Sequence, residues 1–587
     1  MMMIRRKLKN RKPQIANRRL RRTGAALLVV LFVVMVITIL SLGFLSRSDV
    51  ELACGENMIL HSQMDYLAES GLEHARGLIL CPQDINDEYW TGAERLQLVA
   101  GSDDYYDVNV ERHEPNSGPT YRCNYSIISS ACREKGGEKI GRSGLKAELR
   151  LDPCIALWTG ASTALADVMA INGDVRCNGT LTNEGIVNGD VFVGNLNGTI
   201  GGQEKPIGEL SLEWPRVTIE DFTTNYSTQI IPVGKIQDTS IGGWTEIWHR
   251  SSSLEVGDDV QIDGMLIVDG DLTITGTGNS ITAHKNVPAL LVTGDIVIAS
   301  DSSLDVYGLA VVEGDVQISA DGGVINILGG LFVGGILAEM AADSSGNGNT
   351  AILHNGASWQ PSGGQVGGAL EFDGVDDYAQ TADDLNKLQL TGNYTLAVWI
   401  KADWTQKSWA GIFSKCSPNG SVNHWTLQFD SSVPRRLVIY HPTANWYTGI
   451  TLNDVGGGWH HIKIVRNGNT MISYLDDNEI KNDTWNDNPG SGAGHLNIGV
   501  DRTASSDYVY EGLIDDVRIY NRAPDANEVY PSADALIGYW SLDEQGDNNV
   551  SVTVAPAKTA IIVWSPSGDT EMWGQAARAF FRSIKRN

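Results

Sequence analysis

Along the chain the apolar residues fall into three successive patterns. The first is continuous. From Gly24 to Leu45 no side chain is charged, and Thr38 and Ser41 are the only hydroxyls. As a helix this run is about 33 Å long, enough to span a bilayer core. Ser46 to Leu80 contains no proline, and Tyr66, Leu67, Leu72, Ala75 and Ile79 recur near the 3.6-residue period, so the same helix is expected to continue as an amphipathic one until Pro82 stops it. The second pattern, from about Ile155 to Ala338, consists of short β-branched runs ending in Gly-Asp, as at Gly173-Asp174, Gly189-Asp190, Gly270-Asp271, Gly294-Asp295 and Gly314-Asp315. Glycine at a corner supplies positive φ, and no single repeat can bury its own face, so a stacked parallel β-helix follows. Residues 201–255, with Pro206, Pro215 and Pro232, interrupt it as an insertion or cap. In the third, Leu396–Ile400 and Ile462–Val465 read as sandwich strands, with Asn467-Gly468 and Asp477-Asn478 closing hairpins.

The fold class is therefore mainly β, with a long N-terminal helix, a β-helix-like middle and an antiparallel sandwich. The expected segments are a leader (1–23), the spanning helix (24–80), a cysteine-containing membrane-proximal module (81–154), the β-helix-like region (155–338), the sandwich (339–549) and return strands plus a C-terminal helix (550–587), the helix over Thr570–Ile584.

Charge adds topology. The 587 residues carry 44 Lys+Arg and 71 Asp+Glu, a net of −27, yet residues 1–22 hold ten basic side chains and no acid. A body so acidic repels phosphate backbones, which argues against a nucleic-acid partner. The basic leader predicts a cytoplasmic N-terminus and an exported body, with the membrane as a partner. A cleaved signal peptide, with Ser41-Leu42-Gly43 as a weak cutting site, is the alternative.

Residues 21–30 (Arg-Arg-Thr-Gly-Ala-Ala-Leu-Leu-Val-Val), with Tyr66-Leu67-Ala68-Glu69-Ser70-Gly71 further along, resemble the N-terminal region of type IV pilus minor pilins and secretion pseudopilins. The resemblance implies cleavage after Gly24, leaving Ala25 as the first residue, and pilin or pseudopilin subunits as partners. Major pilins carry Glu at the fifth mature position. Val29 stands there instead, which implies a tip or initiating subunit. A plain membrane anchor remains the competing reading.

Seven cysteines stand at 54, 81, 123, 132, 154, 177 and 416. In an exported chain they suggest disulfides, and Cys123 with Cys132, bracketing a short polar loop, is the pair expected first. With no C-x-x-C and no histidine within four residues of these cysteines, a zinc site is disfavoured.

Five ordered motifs lie between Asp343 and Ala523: Asp343-Ser-Ser-Gly-Asn-Gly-Asn349, Gly367–Tyr378, Tyr394–Lys401, Trp459–Arg466 and Gly512–Ala523. Together they resemble the laminin G-like, concanavalin A-like jelly roll of bacterial surface proteins. Related glucanases use a Glu-x-Asp-x-x-Glu cluster, whereas Glu371 and Asp373 here have no third glutamate, so an enzyme is not expected. Adjacent His460 and His461 face opposite sides of a strand and are not expected to share an ion. The resemblance implies a structural calcium ion at Asp343 with Asp515 or Asp516, with turn capping as the alternative. Trp404, Trp409, Trp446, Tyr447 and Trp485 are expected in loops, available to a glycan or surface-protein ligand, or else simply packed there. The family's opening strand, Gly-Tyr-Trp-Ser-Leu-Asp-Glu, appears at 538–544 rather than before Asp343, which suggests circular permutation, with a truncated second copy as the alternative; permutation implies that Val550–Val554 and Ala560–Trp564 return to the β-helix. The functional expectation is adhesion; a ligand-free structural envelope protein is the alternative, and a glycan-active enzyme ranks third.

Overall fold

The structure is a computed structural model. It describes residues 23–80, 89–114, 123–152, 154–209, 214, 218–225, 228–283, 287–381, 388–390, 392–417, 423–490, 494–503, 505–526, 528–554, 561–564, 570–573 and 578–586. The basic leader, Cys81, Pro82 and Ala560 lie outside them.

One helix, Thr23–Leu80, contains Gly24, Ala25 and the whole apolar run. Over Ala26–Ile79 it is long and apolar enough to cross a membrane, and its most apolar window has no buried side chain. The second half is different: Met64, Leu67, Ala68, Leu72, Ala75 and Ile79 are buried. They pack on a five-stranded antiparallel sheet of Gly92–Leu96, Asp104–Arg112, Asn124–Lys135, Glu138–Asp152 and Arg578–Arg586. Gly71 allows the approach, since a Cβ there would lie 2.2 Å from Ser129 Oγ. Tyr66, expected on the inner face, points out and is exposed.

Two sequence expectations fail in this sheet. The C-terminal segment is a strand, not a helix: Arg578–Arg586 pairs antiparallel with Glu138–Asp152, from Asp152↔Arg578 to Leu145↔Arg586. The open edge of that long strand offers a ladder of backbone partners, and this pairing overrides local helical preference. The disulfide joins Cys123 to Cys154, not to Cys132. Cys123 and Cys132 sit at opposite ends of one extended strand, about 30 Å apart at 3.3 Å per residue, far beyond disulfide reach. Asn124 pairs with Arg150 on the neighbouring strand, and that register brings Cys154 beside Cys123 with a Cα–Cα distance of 6.4 Å. Cys132 is a buried free thiol.

The middle of the chain is built from parallel ladders. Leu254–Val256, Leu272–Ile274, Ile296–Ile298, Val316–Ser319 and Leu337–Ala341 stack in order as one face, and Val260–Val268, Ser303–Val312 and Val324–Val333 belong to the other. Inward residues such as Leu272, Ile296, Val316 and Leu337 are fully buried. Corners repeat one device. Asp271 Oδ1 accepts the backbone N–H of Asp295, Asp295 Oδ1 that of Asp315, and Asp315 Oδ1 that of Ile336. Each glycine before such an aspartate leaves room for it: a Cβ on Gly294 would lie 2.2 Å from Asp271 Oδ1. Gly270 adopts φ +140°, as expected, but at Gly294 and Gly314 close approach rather than positive φ requires glycine.

Asn549–Val554 enters this stack in parallel between Val324–Val333 and Met169–Asn172, so it joins the late rungs to the first ones. Ile561–Trp564 does not follow it. That segment forms a separate antiparallel hairpin with Thr570–Trp573, which corrects the expectation of a second return strand.

The sandwich grows directly out of the stack. Leu337–Ala341, the last parallel rung, pairs antiparallel with Ala351–His354, and the same sheet continues through Tyr378–Thr381, His495–Ile498, Gly411–Cys416, Asn423–Phe429, Arg436–His441 and Ala444–Thr451. Facing it is a sheet of Ser358–Gln360, Ala369–Asp373, Glu511–Tyr520, Tyr394–Ala402, His460–Asn467, Thr470–Leu475 and Asn478–Thr484. Leu536–Trp540 pairs with Glu511–Tyr520, placing the late strand inside this sheet. Phe372, Phe413, Trp425, Phe429 and Trp540 fill the space between the sheets.

Candidate functional site

The three aspartates expected to share calcium are separate fasteners. Asp343 Oδ1 accepts the N–H groups of Ser345 and Tyr539, and its Oδ2 accepts both N–H groups of Asn349, backbone and amide. Asp515 Oδ2 accepts Gln365 N–H and Val366 N–H at 2.8 Å each, and burial pushes this carboxyl up to about 7. Asp516 takes the Arg518 guanidinium at 2.8 Å. The bonded oxygens of the three face different donors, while Asp515 Oδ1 is buried without a hydrogen-bond partner, and the three are not among the carboxylates of the described residues that converge on one point.

Among the described residues, one group of three carboxylates does converge. Asp373, Asp376 and Asp377 bring one oxygen each within 4.8 Å of one another. They occupy a turn after strand Ala369–Asp373, where Gly374 has φ +74°. Asp373 Oδ1 accepts Val375 N–H, and Asp377 Oδ2 accepts Asp373 N–H. Burial, then the like charges of Asp373 and Asp376, pushes the Asp377 carboxyl well above its ordinary range. Hard oxygens under mutual repulsion suit a divalent cation. The Asp-Gly-Val-Asp-Asp spacing was the signal for this turn.

This turn lies beside the loop that carries Trp404. Lys407 Nζ donates to the carbonyls of Val375 and Ser506, and Thr405 Oγ1 donates to Glu511 Oε2 at 2.6 Å. A Cβ on Gly374 would in turn meet the Glu511 side chain. Asp403 Oδ1 accepts the N–H of Thr405 and lies 2.7 Å from its hydroxyl oxygen, whose single proton is shared between this carboxylate and Glu511, which holds the loop in shape. Trp404 lies over Gly456 and Gly457 with 57% of its surface exposed.

The other aromatics divide. Tyr447 is exposed, with the Arg436 guanidinium 4.1 Å from its ring centre. Trp446, expected in a loop, lies on strand Ala444–Thr451, buried, with its indole N–H on Asp483. Trp485 is half-buried against His441. Trp409 is half-buried in left-handed backbone, φ 64°. Trp446 is therefore packing, because strand alternation turns it inward where Tyr447 faces out. His460 bonds Asp476 on one side of its strand, while His461 is buried on the other against Trp399 and Tyr530. Glu371 accepts from Gln360 at 2.6 Å.

Residues 373–530 match the family described as the concanavalin A-like lectin/glucanases superfamily, Laminin_G_3. Comparison with curated proteins gives no match. Solved structures similar to this chain include a candidate carbohydrate binding protein from Bacteroides ovatus (12% identity, TM-score 0.24, 35% of this chain and 57% of that one). Another is domain 4 of the extracellular arabinanase AbnA from Geobacillus stearothermophilus with arabinotriose (16%, 0.25, 36% and 98%). A third is the SAP-like pentraxin of Limulus polyphemus (14%, 0.20, 36% and 95%). At these scores they bear on neither ligand nor chemistry.

Proposed function

We propose that this chain is a membrane-anchored surface protein whose sandwich binds carbohydrate at the end formed by the Trp404 loop and the acidic turn. The observation that carries this reading is an exposed indole fixed beside a carboxylate cluster, within a region matching a lectin and glucanase family. An indole face stacks on the apolar face of a sugar ring, and Thr405, Glu511 and Asp403 supply polar groups around it. In this proposal Asp373, Asp376 and Asp377 hold a calcium ion that neutralises the turn and stiffens the loop end. The role is binding, not hydrolysis, and a surface-protein ligand is the neighbouring possibility within it.

The proposal extends to assembly as a minor pilin or pseudopilin. Its support is the single helix whose first half leaves Leu27, Phe32, Ile39 and Phe44 exposed while the second half packs on a sheet. The ladder that runs unbroken from the parallel stack, a β-helix in this reading, into the sandwich would act as a stiff spacer. That continuity also favours the second reading, a structural envelope protein without ligand.

A glycan array probed with the full-length protein in detergent, with and without calcium, tests binding. Binding lost in Trp404→Ala with unchanged melting is expected; no bound glycan under either condition overturns the lectin reading. Mass spectrometry of the N-terminus in isolated fibres is expected to find Ala25 first, and an intact leader would favour the plain anchor.

A further inference from the structure

The long helix and the five-stranded sheet run in step. A Cβ on Gly141 would lie 2.8 Å from the Leu60 side chain, Ser143 Oγ donates to Asp65 Oδ1 at 2.6 Å, and Gly71 lies against Ser129, whose strand partner is Leu145. As the helix advances from 60 to 71, away from its apolar run, strand Glu138–Asp152 advances from 141 to 145 beside it. The start of that strand, with the Gly136-Gly137 turn before it, therefore points back toward the apolar run. The hairpin that joins Gly92–Leu96 to Asp104–Arg112 ends on the same side. Glu134 N–H donates to the Asp103 carbonyl, and Asp104 pairs with Arg133, which itself pairs with Gly141.

These two hairpin ends gather the apolar exposure of the sheet. Among the described side chains of residues 89–152, the large apolar ones left exposed are Leu98 (60%), Val99 (68%) and Ile140 (48%). One exposed leucine is ordinary, but three such residues at a single end mark a contact surface. The helix says what covers it. Leu45, the last residue of the apolar run, lies about 22 Å along the axis from Leu60. The strand from Gly141 back to Gly137 covers about 13 Å of that distance. What remains is on the order of a headgroup layer, about 5–8 Å deep on each side of a bilayer. A tilt of about 20°, ordinary for a spanning helix, closes the rest. Charge does not oppose the approach, since Asp104 is paired with Arg133 at 2.6 Å and Glu134 with Arg95 at 3.2 Å and Lys139 at 3.9 Å.

We propose that the Leu98-Val99 and Ile140 hairpin ends dip into the headgroup layer of the membrane that the helix crosses. The inference rests on the reading of the helix as a membrane anchor and adds a second, peripheral contact to it. A single helix leaves the body it carries free to swing about the point of exit. Two apolar contacts off the helix axis hold the sheet in one orientation on the bilayer, and with it the direction in which the rest of the chain projects.

Quenching by nitroxide lipid in phosphatidylcholine vesicles carrying the full-length protein tests it. In a Cys54→Ser, Cys81→Ser background, Leu98→Cys, Ile140→Cys, Asn109→Cys and Ile39→Cys are each labelled with a fluorescent maleimide, the buried thiols staying unlabelled. All four positions are exposed, so folding is not at risk; Ile39 reports the span and Asn109 the same sheet farther out. A lipid with its nitroxide just below the headgroup is expected to quench labels at 98 and 140 about twofold or more relative to 109, and to quench 39 as well. Quenching at 39 with either 98 or 140 no higher than 109 overturns the proposal and leaves the anchor in place. Quenching at 109 as strong as at 98 overturns it too, because the whole sheet would then lie on the membrane. No quenching at 39 overturns the anchor reading, and this inference with it.

Discussion

The indole N–H of Trp540 donates a 2.9 Å hydrogen bond to the backbone carbonyl of Asn349, tying a strand near the end of the chain to the first loop of the sandwich. Asn349 Nδ2 returns a bond to the carbonyl of Ile537, and Asp343 accepts Tyr539 N–H. The late strand is thereby fastened at three points to a loop almost two hundred residues earlier. Trp540 is fully buried in the sandwich core. Trp540→Ala removes a large core side chain and leaves a buried carbonyl without its donor, so a loss of about 3–5 kcal/mol is expected. Urea unfolding followed by near-UV circular dichroism measures it. A loss under about 1 kcal/mol, on the scale of a surface substitution, would place this strand outside the cooperative sandwich.

The aspartate ladder makes a second expectation. Asp295 links two rungs, donating its N–H to Asp271 and accepting that of Asp315. Asp295→Ala leaves the Asp315 N–H without its acceptor and is expected to cost about 1–3 kcal/mol, whereas Asp295→Asn keeps an acceptor oxygen and costs less. Gly314→Ala is expected to be at least as harmful as Asp295→Ala, because its Cβ would lie 2.2 Å from Asp295 Oδ1. Urea midpoints of the three variants give the order, and equal midpoints for Ala and Asn at 295 would show that the ladder bond is not what matters.

For the cysteines, peptide mapping without reduction is expected to recover a fragment linking Cys123 to Cys154. Cys154→Ser should destabilise the five-stranded sheet by about 2–4 kcal/mol. Maleimide should label exposed Cys54 in the native protein but reach Cys132, Cys177 and Cys416 only after unfolding. Burial pushes the Cys132 thiol up, which slows its reaction further. Recovery of a Cys123–Cys132 fragment would contradict the register of the sheet.

Much of this architecture was legible because its signals are local. The helix through Leu80 follows from an uninterrupted apolar run and the spacing of Leu67, Leu72, Ala75 and Ile79, and the parallel rungs from Gly-Asp punctuation. What was not legible depends on strand pairing. Which cysteine meets Cys123 is decided by the pairing of Asn124 with Arg150. Whether residues 578–586 become helix or strand is decided by the open edge of Glu138–Asp152. The candidate site divides in the same way. Trp404 is exposed in a loop, but Tyr447 and Trp446, expected in a loop too, lie on one strand whose alternation exposes the first and buries the second. Asp343, Asp515 and Asp516 look alike in sequence, yet Asp343 and Asp515 take backbone donors brought from elsewhere in the chain, whereas Asp516 pairs with Arg518 on its own strand. Glu339 gives no sequence signal at all, since its burial arises only where the parallel stack meets the sandwich.

That burial predicts a pH dependence. Burial lifts the Glu339 carboxyl from an ordinary 4.5 to about 7, opposed by Asn548 and the Trp359 indole and reinforced by Asp167 and Glu184. The folded chain thus keeps a proton that the unfolded chain releases between these values, so stability is greatest on the acid side and falls as pH rises from about 4.5 toward 7, with no further loss above. Glu544 and Asp515, each also pushed up to about 7 by burial, act in the same direction. Glu339→Gln is neutral at every pH and removes one share of the loss. Parent and variant are therefore expected to be equally stable near pH 4.5, with the variant more stable at pH 8 by on the order of 3 kcal/mol. Thermal melts of both proteins at pH 4.5, 6 and 8 read the difference directly, since every other titrating group is common to the pair. A variant that gains nothing between pH 4.5 and 8 would mean that Glu339 ionises in the folded chain as readily as in water.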